Sequence, residues 1–139
     1  MGFKRVVIAR EMSKDEIIKA SKVPVELEVF VHGALCMCVS GQCYFSAMLG
    51  SRSGNRGACA QTCRLPFSVG NSKNGYALSL KDNSIINHLT ELEEIGIVSA
   101  KIEGRMKRPE YVSVAVKACK EQRDNGFVSE ETEKLLKKH

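Results

Sequence analysis

Five of the six cysteines fall between Cys36 and Cys63, and that crowding constrains the fold more than any other feature of the chain. They lie in Cys36-Met-Cys-Val-Ser-Gly-Gln-Cys43 and in Ser51-Arg-Ser-Gly-Asn-Arg-Gly-Ala-Cys59-Ala-Gln-Thr-Cys63-Arg64. The Gly and Ser around them let a backbone wrap closely round a small object. No Asp or Glu occurs from Cys36 to Leu80, whereas Arg52, Arg56, Arg64 and Lys73 do. A positive surround lowers thiol pKa and favours thiolate, the form that binds metal. The stretch therefore reads as a site inserted into the fold, not as core.

The rest of the composition is that of an ordinary globular chain of one domain's length, 139 residues with 43% hydrophobic and 27% charged. No apolar run approaches the ~18–20 residues that span a bilayer. The segment from Met1 to Arg10 lacks the apolar length and small-residue cleavage site of a signal peptide. A cytoplasmic chain without a membrane partner is expected, and in a reducing compartment clustered cysteines point to metal or redox chemistry instead of disulfides. The net charge of +5 is modest. Lys101, Arg105, Lys107 and Arg108 form a second positive cluster, with Glu103 inside it. On one face with the cysteine segment they would make a mouth for a phosphate- or carboxylate-bearing partner; otherwise they are solvated charge on unrelated loops.

Along the chain, Lys4 to Ala9 reads as a short buried strand. Ser13 and Glu16 form an S-x-x-E capping box opening a helix that Pro24 ends. Val25 to His32 is the next strand, with Leu27, Val29 and Val31 on one face and Glu28, Phe30 and His32 on the other. A carboxylate and an imidazole there are costly to bury unpaired. Gln42 to Leu49 is a candidate short helix. Leu65–Val69 and Tyr76–Leu80 read as hairpin strands joined around Asn74-Gly75. Asn83 to Ile95 is expected as a helix with Asp82 as N-cap and Gly96 as stop, followed by a strand carrying Val98, Ala100 and Ile102. Pro109 suits the first turn of a helix reaching Arg123 and stopped by Gly126, with Val112, Ala115, Val116 and Cys119 as its apolar stripe. Glu130 to Lys138 closes the chain as an amphipathic helix, leaving His139 at a loose end.

Strand–helix alternation of this kind means α/β, with chemistry at the carboxyl ends of parallel strands. The expected architecture is a single partial (β/α) barrel: strand–helix–strand over 1–35, an inserted Cys-rich loop over 36–64, a β-hairpin over 65–80, helix–strand–helix over 81–125 and a terminal helix over 126–139. A complete barrel takes roughly 250 residues, so about half of one is present. Its open edges call for a missing half, from another chain or a second copy.

Glu28-Val-Phe30-Val-His-Gly33-Ala34-Leu35-Cys36, then Gly41-Gln-Cys43-Tyr-Phe45-Ser46, resembles the signature of the peptidase U32 family of collagenase-like peptidases. Phe45 departs from it, standing where the pattern usually has an aliphatic residue. Gly54-Asn-Arg56-Gly57 through Cys59-Ala-Gln-Thr-Cys63-Arg64, Leu78-Ser-Leu-Lys81-Asp82 and Lys101-Ile-Glu103-Gly-Arg105-Met-Lys107 extend the likeness over nearly the whole chain. The resemblance implies the C-terminal half of a longer family barrel. It also implies an oxygen-independent hydroxylase with a [4Fe–4S] cluster, acting on a tRNA wobble uridine, an rRNA cytidine or the ubiquinone ring, with prephenate as hydroxyl source in the tRNA branch. Older relatives are labelled proteases.

A [4Fe–4S] cluster takes four thiolates, and the resemblance assigns Cys36, Cys43, Cys59 and Cys63, leaving Cys38 spare. On residue chemistry alone zinc is an equal rival; the family likeness favours the cluster. Proteolysis would need a base beside a nucleophilic cysteine, and His32, four residues before Cys36, is the candidate. Glu28, His32, Lys101, Glu103 and Arg105 are the catalytic candidates, against the alternative of an interior ion-pair network. Arg105 at a strand's carboxyl end suits an anionic small-molecule co-substrate; Arg56, Arg64 and Lys107 are candidates for binding substrate RNA. RNA hydroxylation is the leading reading, a collagenase-like peptidase the second and a non-catalytic metal-binding fragment the third. Cys119 is expected in the core.

Overall fold

The computed structural model describes residues 2–138, the side chains of residues 72–74 excepted; His139 lies outside the described residues. In chain order the elements are β1 (Arg5–Val7), α1 (Lys14–Ala20), β2 (Glu26–Ala34), α2 (Phe45–Gly50), β3 (Phe67–Val69) and β4 (Ser72–Gly75). There follow β5 (Asp82–Ser84), α3 (Leu89–Ile95), β6 (Ser99–Ile102), α4 (Pro109–Asn125) and α5 (Glu130–Lys138). The chain divides into two compact units: Met1–Gly33 with Asp82–His139, and Ala34–Lys81. No described helix is long and apolar enough to cross a membrane.

In the first unit β2 is the central strand. β1 pairs with it in parallel from Arg5↔Glu26 to Val7↔Glu28, and β6 in parallel from Glu28↔Ser99 to His32↔Ile102; β5 pairs with it as well. The sheet is mixed with helices and is not closed into a barrel. Leu27, Val29 and Val31 are buried with Ile17, Leu92 and Ile97, and Ile8, Met12, Ile85, Leu89 and Cys119 pack against them. Each such aliphatic side chain contributes roughly 1.5–3 kcal/mol by leaving water. β1 departs from expectation: Val6 and Val7 are exposed, because no described element covers them.

The alternation of β2 breaks at its carboxyl end, where the register with β6 shifts between Phe30 and His32. Leu27 O accepts from Val98 N on the β6 side at 3.2 Å. Further on it is His32 O that accepts from Glu103 N, at 2.8 Å, while Val31 O accepts from Ile85 N, at 2.8 Å, beside β5. A bulge of this kind re-aims side chains, and His32, expected on the face opposite Val31, is buried as Val31 is.

Local signals hold at α1, where Ser13 N donates to Glu16 Oε2 at 2.7 Å in a complete capping box, and at α4, which opens on Pro109 and stops at Gly126, φ +80. The apolar stripe of α4 is partly the expected one: Ala115 is buried and Cys119 packs against the core, but Tyr111, Ala118 and Gln122 are its other buried residues and Val116 is exposed. Asp82 caps no helix; it opens β5, and α3 begins only at Leu89 after a 3-10 turn at Ile86–His88. Against the partner helix α5, Glu121 of α4 accepts from Ser129 N at 2.9 Å and Thr132 Oγ1 at 2.9 Å.

The second unit, where a short helix over Gln42–Leu49 and a hairpin are expected, contains α2 at Phe45–Gly50, two 3-10 turns (Gly54–Arg56 and Thr62–Arg64) and the antiparallel pair β3–β4. The hairpin turns at Gly70-Asn71, between Val69 and Ser72, and not at Asn74-Gly75. Gly70 takes φ +56, which a residue with a Cβ rarely adopts. Residues 76–80 form no strand.

Candidate functional site

The cysteine segment is held from both of its ends by one side chain. Arg64 donates from Nη2 to Leu35 O at 2.8 Å, and from Nη1 to Ser79 Oγ at 2.9 Å and to Leu80 O. Its planar fork is thereby committed to the chain of its own unit. Inside that frame Cys43 N donates to Asn55 Oδ1 at 3.1 Å. Gly54 lies between two of the thiol-bearing residues: a Cβ there would be 3.7 Å from Cys59 Cβ and 3.9 Å from Cys43 O. Burial pushes the Cys63 thiol up, Arg64 opposes, and Cys36 and Cys59 push it further up, so these three sit within electrostatic reach of one another. Phe45 stacks on Phe67, ring centroids 5.6 Å apart.

All six cysteines are free thiols. In this conformation the four candidate ligands are gathered without converging: among the described residues no three His, Cys, Asp or Glu form a set arranged to hold a metal ion. The chemistry of the donor set nonetheless suits a soft metal centre, being thiol-only in a segment without carboxylates.

A second cluster stands at the carboxyl end of β2 in the first unit. Asp82 Oδ2 accepts from Lys107 Nζ at 2.7 Å and from Tyr111 Oη at 2.5 Å. The Lys107 ammonium also lies 4.4 Å from the Tyr111 ring centroid, a cation–π contact. His32 packs its ring against Tyr111 at 5.3 Å, and neither ring nitrogen has a hydrogen-bond partner among the described residues. Burial would raise the Asp82 carboxyl, but Lys107 and Tyr111 outweigh it and hold it below the usual carboxylate range. The Tyr111 phenol is pushed well up by burial and by Asp82. Burial pushes His32 down, against the pull of Asp82, so the ring is neutral at pH 7. Sequence reasoning missed Tyr111 altogether and read Asp82 as a helix cap.

The remaining candidates are spoken for to different degrees. Glu28 accepts from Lys101 at 2.6 Å and from Ser99 at 2.8 Å, with Arg5 3.8 Å away, and its carboxyl is held down by those first two bonds. This is the ion-pair network that was the alternative to catalysis. Glu103 pairs with Arg10 at 3.0 Å, and Arg10 stacks on Phe30 at 3.9 Å. Arg105 and Arg56 are exposed and make no ion pair among the described residues. His88 is paired with Glu91 at 3.0 Å.

The sequence matches peptidase family U32 over residues 1–139. The chain belongs to peptidase family U32. Among curated U32 relatives, it is 42% identical over 119 residues to the 23S rRNA 5-hydroxycytidine synthase of Escherichia coli, covering 81% of this chain and 18% of that protein. It is 40% identical over 128 residues to tRNA hydroxylation protein P1 of Bacillus subtilis, covering 83% and 30% respectively. With a collagenase of Porphyromonas gingivalis it shares 38% identity over 136 residues, covering 84% and 33%. The chain thus spans a third or less of the length of each of these relatives. No solved structure matches. U32 membership carries names of two kinds, RNA-hydroxylating and proteolytic, so family alone leaves the reaction to be argued from the residues.

Proposed function

We propose that this U32 chain carries the metal-binding segment and the strand-end cluster of an enzyme that hydroxylates a base of tRNA or rRNA without molecular oxygen. The observation that carries the reading is the thiol-only, carboxylate-free second unit, in a chain whose relatives include proteins named for rRNA hydroxycytidine synthesis and tRNA hydroxylation. Cys36, Cys43, Cys59 and Cys63 would hold a [4Fe–4S] cluster, with zinc as the alternative occupant. When bound, such a cluster supplies one-electron chemistry that no side chain provides.

The chain's own residues divide the remaining work. Arg105 and Arg56, exposed and without an ion pair among the described residues, attract RNA phosphates or an anionic carboxylate co-substrate. Arg64, called for substrate, serves instead to brace the second unit. Glu28 and Lys101 neutralise each other within the sheet. Neutral His32 and the protonated Tyr111 phenol are the groups able to exchange a proton at the strand ends, with Asp82 and Lys107 fixing Tyr111. The open sheet and the exposed Val6 and Val7 support pairing with the rest of a (β/α) barrel, because parallel strands are ordinarily covered on both faces. That covering comes from further polypeptide, another chain or a second copy.

Anaerobic reconstitution with iron and sulfide tests the proposal. A broad visible absorption with about four irons per chain is expected; zinc recovered in its place with no visible band overturns it. The proteolytic reading draws on the relatives named collagenase. Gelatin cleavage that survives iron chelation and vanishes in Cys36→Ser would favour it.

A further inference from the structure

The formal charge of the chain is not shared between its two units. All 16 Asp and Glu lie in the first unit with all but five of the 21 Lys and Arg, so that unit is balanced. The whole +5 falls on Ala34–Lys81, as Arg52, Arg56, Arg64, Lys73 and Lys81. Arg64 is occupied in bracing its own unit. Arg52 and Arg56 are exposed and make no ion pair among the described residues. Arg52 donates from Nε to Ala58 O at 3.1 Å, which fixes its stem and leaves its terminal nitrogens outside that bond.

Beside these two cations α2 turns its apolar side chains outward. Its buried residue is Ser46, 2% exposed, whose Oγ accepts from Ala60 N at 3.0 Å. Met48 is 82% exposed, and Tyr44, just before the helix, 67%. Met48 N donates to Tyr44 O at 2.9 Å, so the two side chains stand one turn apart on the same side. The turn Gly54–Arg56 packs against α2, and Cys43 N donates to Asn55 Oδ1 at 3.1 Å. Tyr44 and Arg56 are thus each next in sequence to one end of a single hydrogen bond. Arg52 lies just beyond α2, its N donating to Ser46 O at 3.2 Å. The neighbouring ring, Phe45, is already stacked on Phe67; Tyr44 has no ring partner among the described residues.

An exposed aromatic beside arginines also suits a protein partner. Charge decides against one. A protein presents both signs, and a surface that answers it carries carboxylates as well as cations; Ala34–Lys81 has no carboxylate side chain. A nucleic-acid backbone presents one sign only. A duplex keeps its base faces stacked on one another, so a free ring has a partner only where bases are unpaired. We propose that the second unit is an interface for unpaired RNA, with Tyr44 stacking on a base and Arg52 and Arg56 holding the phosphates beside it. This rests on the RNA reading above and needs no metal.

The full chain, treated with a chelator, is titrated with a fluorescent oligouridine of ~12 nucleotides and with an RNA duplex of equal length, at several salt concentrations. The single strand should bind roughly tenfold more tightly. Tyr44→Ala should weaken it roughly tenfold, and Tyr44→Phe should not. Arg52→Ala and Arg56→Ala should each lower the slope of log affinity against log salt by about 0.7, one phosphate contact on a single strand. Lys134→Ala, at an exposed lysine of the balanced unit, should leave that slope as it is. The chain has no tryptophan, so Tyr44→Trp reports on the interface directly, and its emission should be quenched as RNA binds. Equal affinity for the two RNAs, or no difference between wild type and Tyr44→Ala, overturns the interface and leaves the hydroxylation reading standing, with RNA held by other residues. Conversely, the expected binding in a chain that takes up no iron keeps the interface and removes the iron–sulfur reading. Self-association in light scattering that Tyr44→Ala abolishes, with no RNA bound, gives the face to a second copy and overturns the proposal.

Discussion

Gly33 lies so close to Glu103 that a β-carbon built on it would sit 2.5 Å from Glu103 Cβ and 2.8 Å from Glu103 O. Its φ of +131° is itself a conformation L-residues avoid. Both facts follow from the register shift that delivers His32 O to Glu103 N one residue earlier. The carboxyl ends of β2 and β6 are therefore joined by a contact that only glycine permits, and the strand-end cluster begins at that contact.

Gly33→Ala should accordingly cost more than a left-handed glycine does by itself. Strain contributes about 1–3 kcal/mol and overpacking a comparable amount. Gly96, φ +98, has nothing within 4 Å of its would-be Cβ and is the control; Gly96→Ala should cost about 1–2 kcal/mol. Urea unfolding of the two variants measures the difference. Equal losses would mean that the approach to Glu103 is looser than described.

Burial of neutral His32 predicts a stability that depends on pH near neutrality. Its pKa is lowered in the folded chain, by burial and by Lys107, with Asp82 pulling the other way. As pH falls through the ordinary histidine value, about 6.5, the unfolded chain takes up a proton that the folded chain refuses. Stability therefore drops on the acid side of that value, and the slope belongs to His32. Unfolding free energies measured from pH 7.5 to 5 should flatten in His32→Phe, and an unchanged slope would reassign the effect.

Asp82 acts in a lower window. Its folded pKa is depressed, so its contribution is fully present above the ordinary Asp value, about 3.9, and is lost as pH falls through the folded one. Asp82→Asn should lose about 1–3 kcal/mol at pH 7, since Lys107 and Tyr111 lose a charged acceptor. It should also show a shallower decline below about pH 4. Tyr111→Phe removes only one of the two bonds and should lose about 1 kcal/mol. Chemical denaturation across about pH 2.5–7 reads both.

These three sites lie where the sequence is least legible. Signals completed within a few residues were read correctly: Ser13 with Glu16, Pro109 at the start of α4, Gly96 and Gly126 at helix ends. Asp82 misled because its carboxylate is satisfied by Lys107 and Tyr111, far along the chain, and an N-cap motif is a local inference. Tyr111 escaped because its partners, His32 of β2 and Asp82 of β5, lie far along the chain and the helix pattern alone does not show them. The hairpin turn was misplaced between two Gly–Asn combinations, Gly70-Asn71 and Asn74-Gly75, both acceptable to a tight turn. Arg64 looked like a free cation because its partners, Leu35, Ser79 and Leu80, are backbone and hydroxyl oxygens that carry no charge signature.

Arg64 and Arg56 should consequently behave as opposites. Arg64→Lys keeps the charge but cannot span three acceptors; residues 34–81 should become sensitive to protease at concentrations the wild type resists. Arg56→Ala should leave stability within about 0.5 kcal/mol and weaken RNA binding, with a shallower salt dependence. A filter-binding titration at two salt concentrations beside limited proteolysis separates the two roles; Arg64→Lys indistinguishable from wild type in proteolysis would return Arg64 to the surface.

The cysteines offer the sharpest division. On the proposed iron–sulfur reading, Cys36, Cys43, Cys59 and Cys63 would each supply one of four thiolates, so each Cys→Ser variant should lose most of its iron on anaerobic reconstitution. Cys38→Ser should retain it. Cys119 is packed against the core of the other unit, its thiol pushed up by burial, and Cys119→Ser should keep the iron while destabilising the fold by about 1 kcal/mol. The gathered but unconverged thiols of the described conformation add a kinetic expectation. Closing on a metal requires the segment from Cys36 to Cys63 to tighten, and amide exchange there should slow on loading while exchange in β2, β6 and α4 does not. Iron uptake that leaves exchange in the segment unchanged would mean the ligands are drawn from elsewhere in the chain.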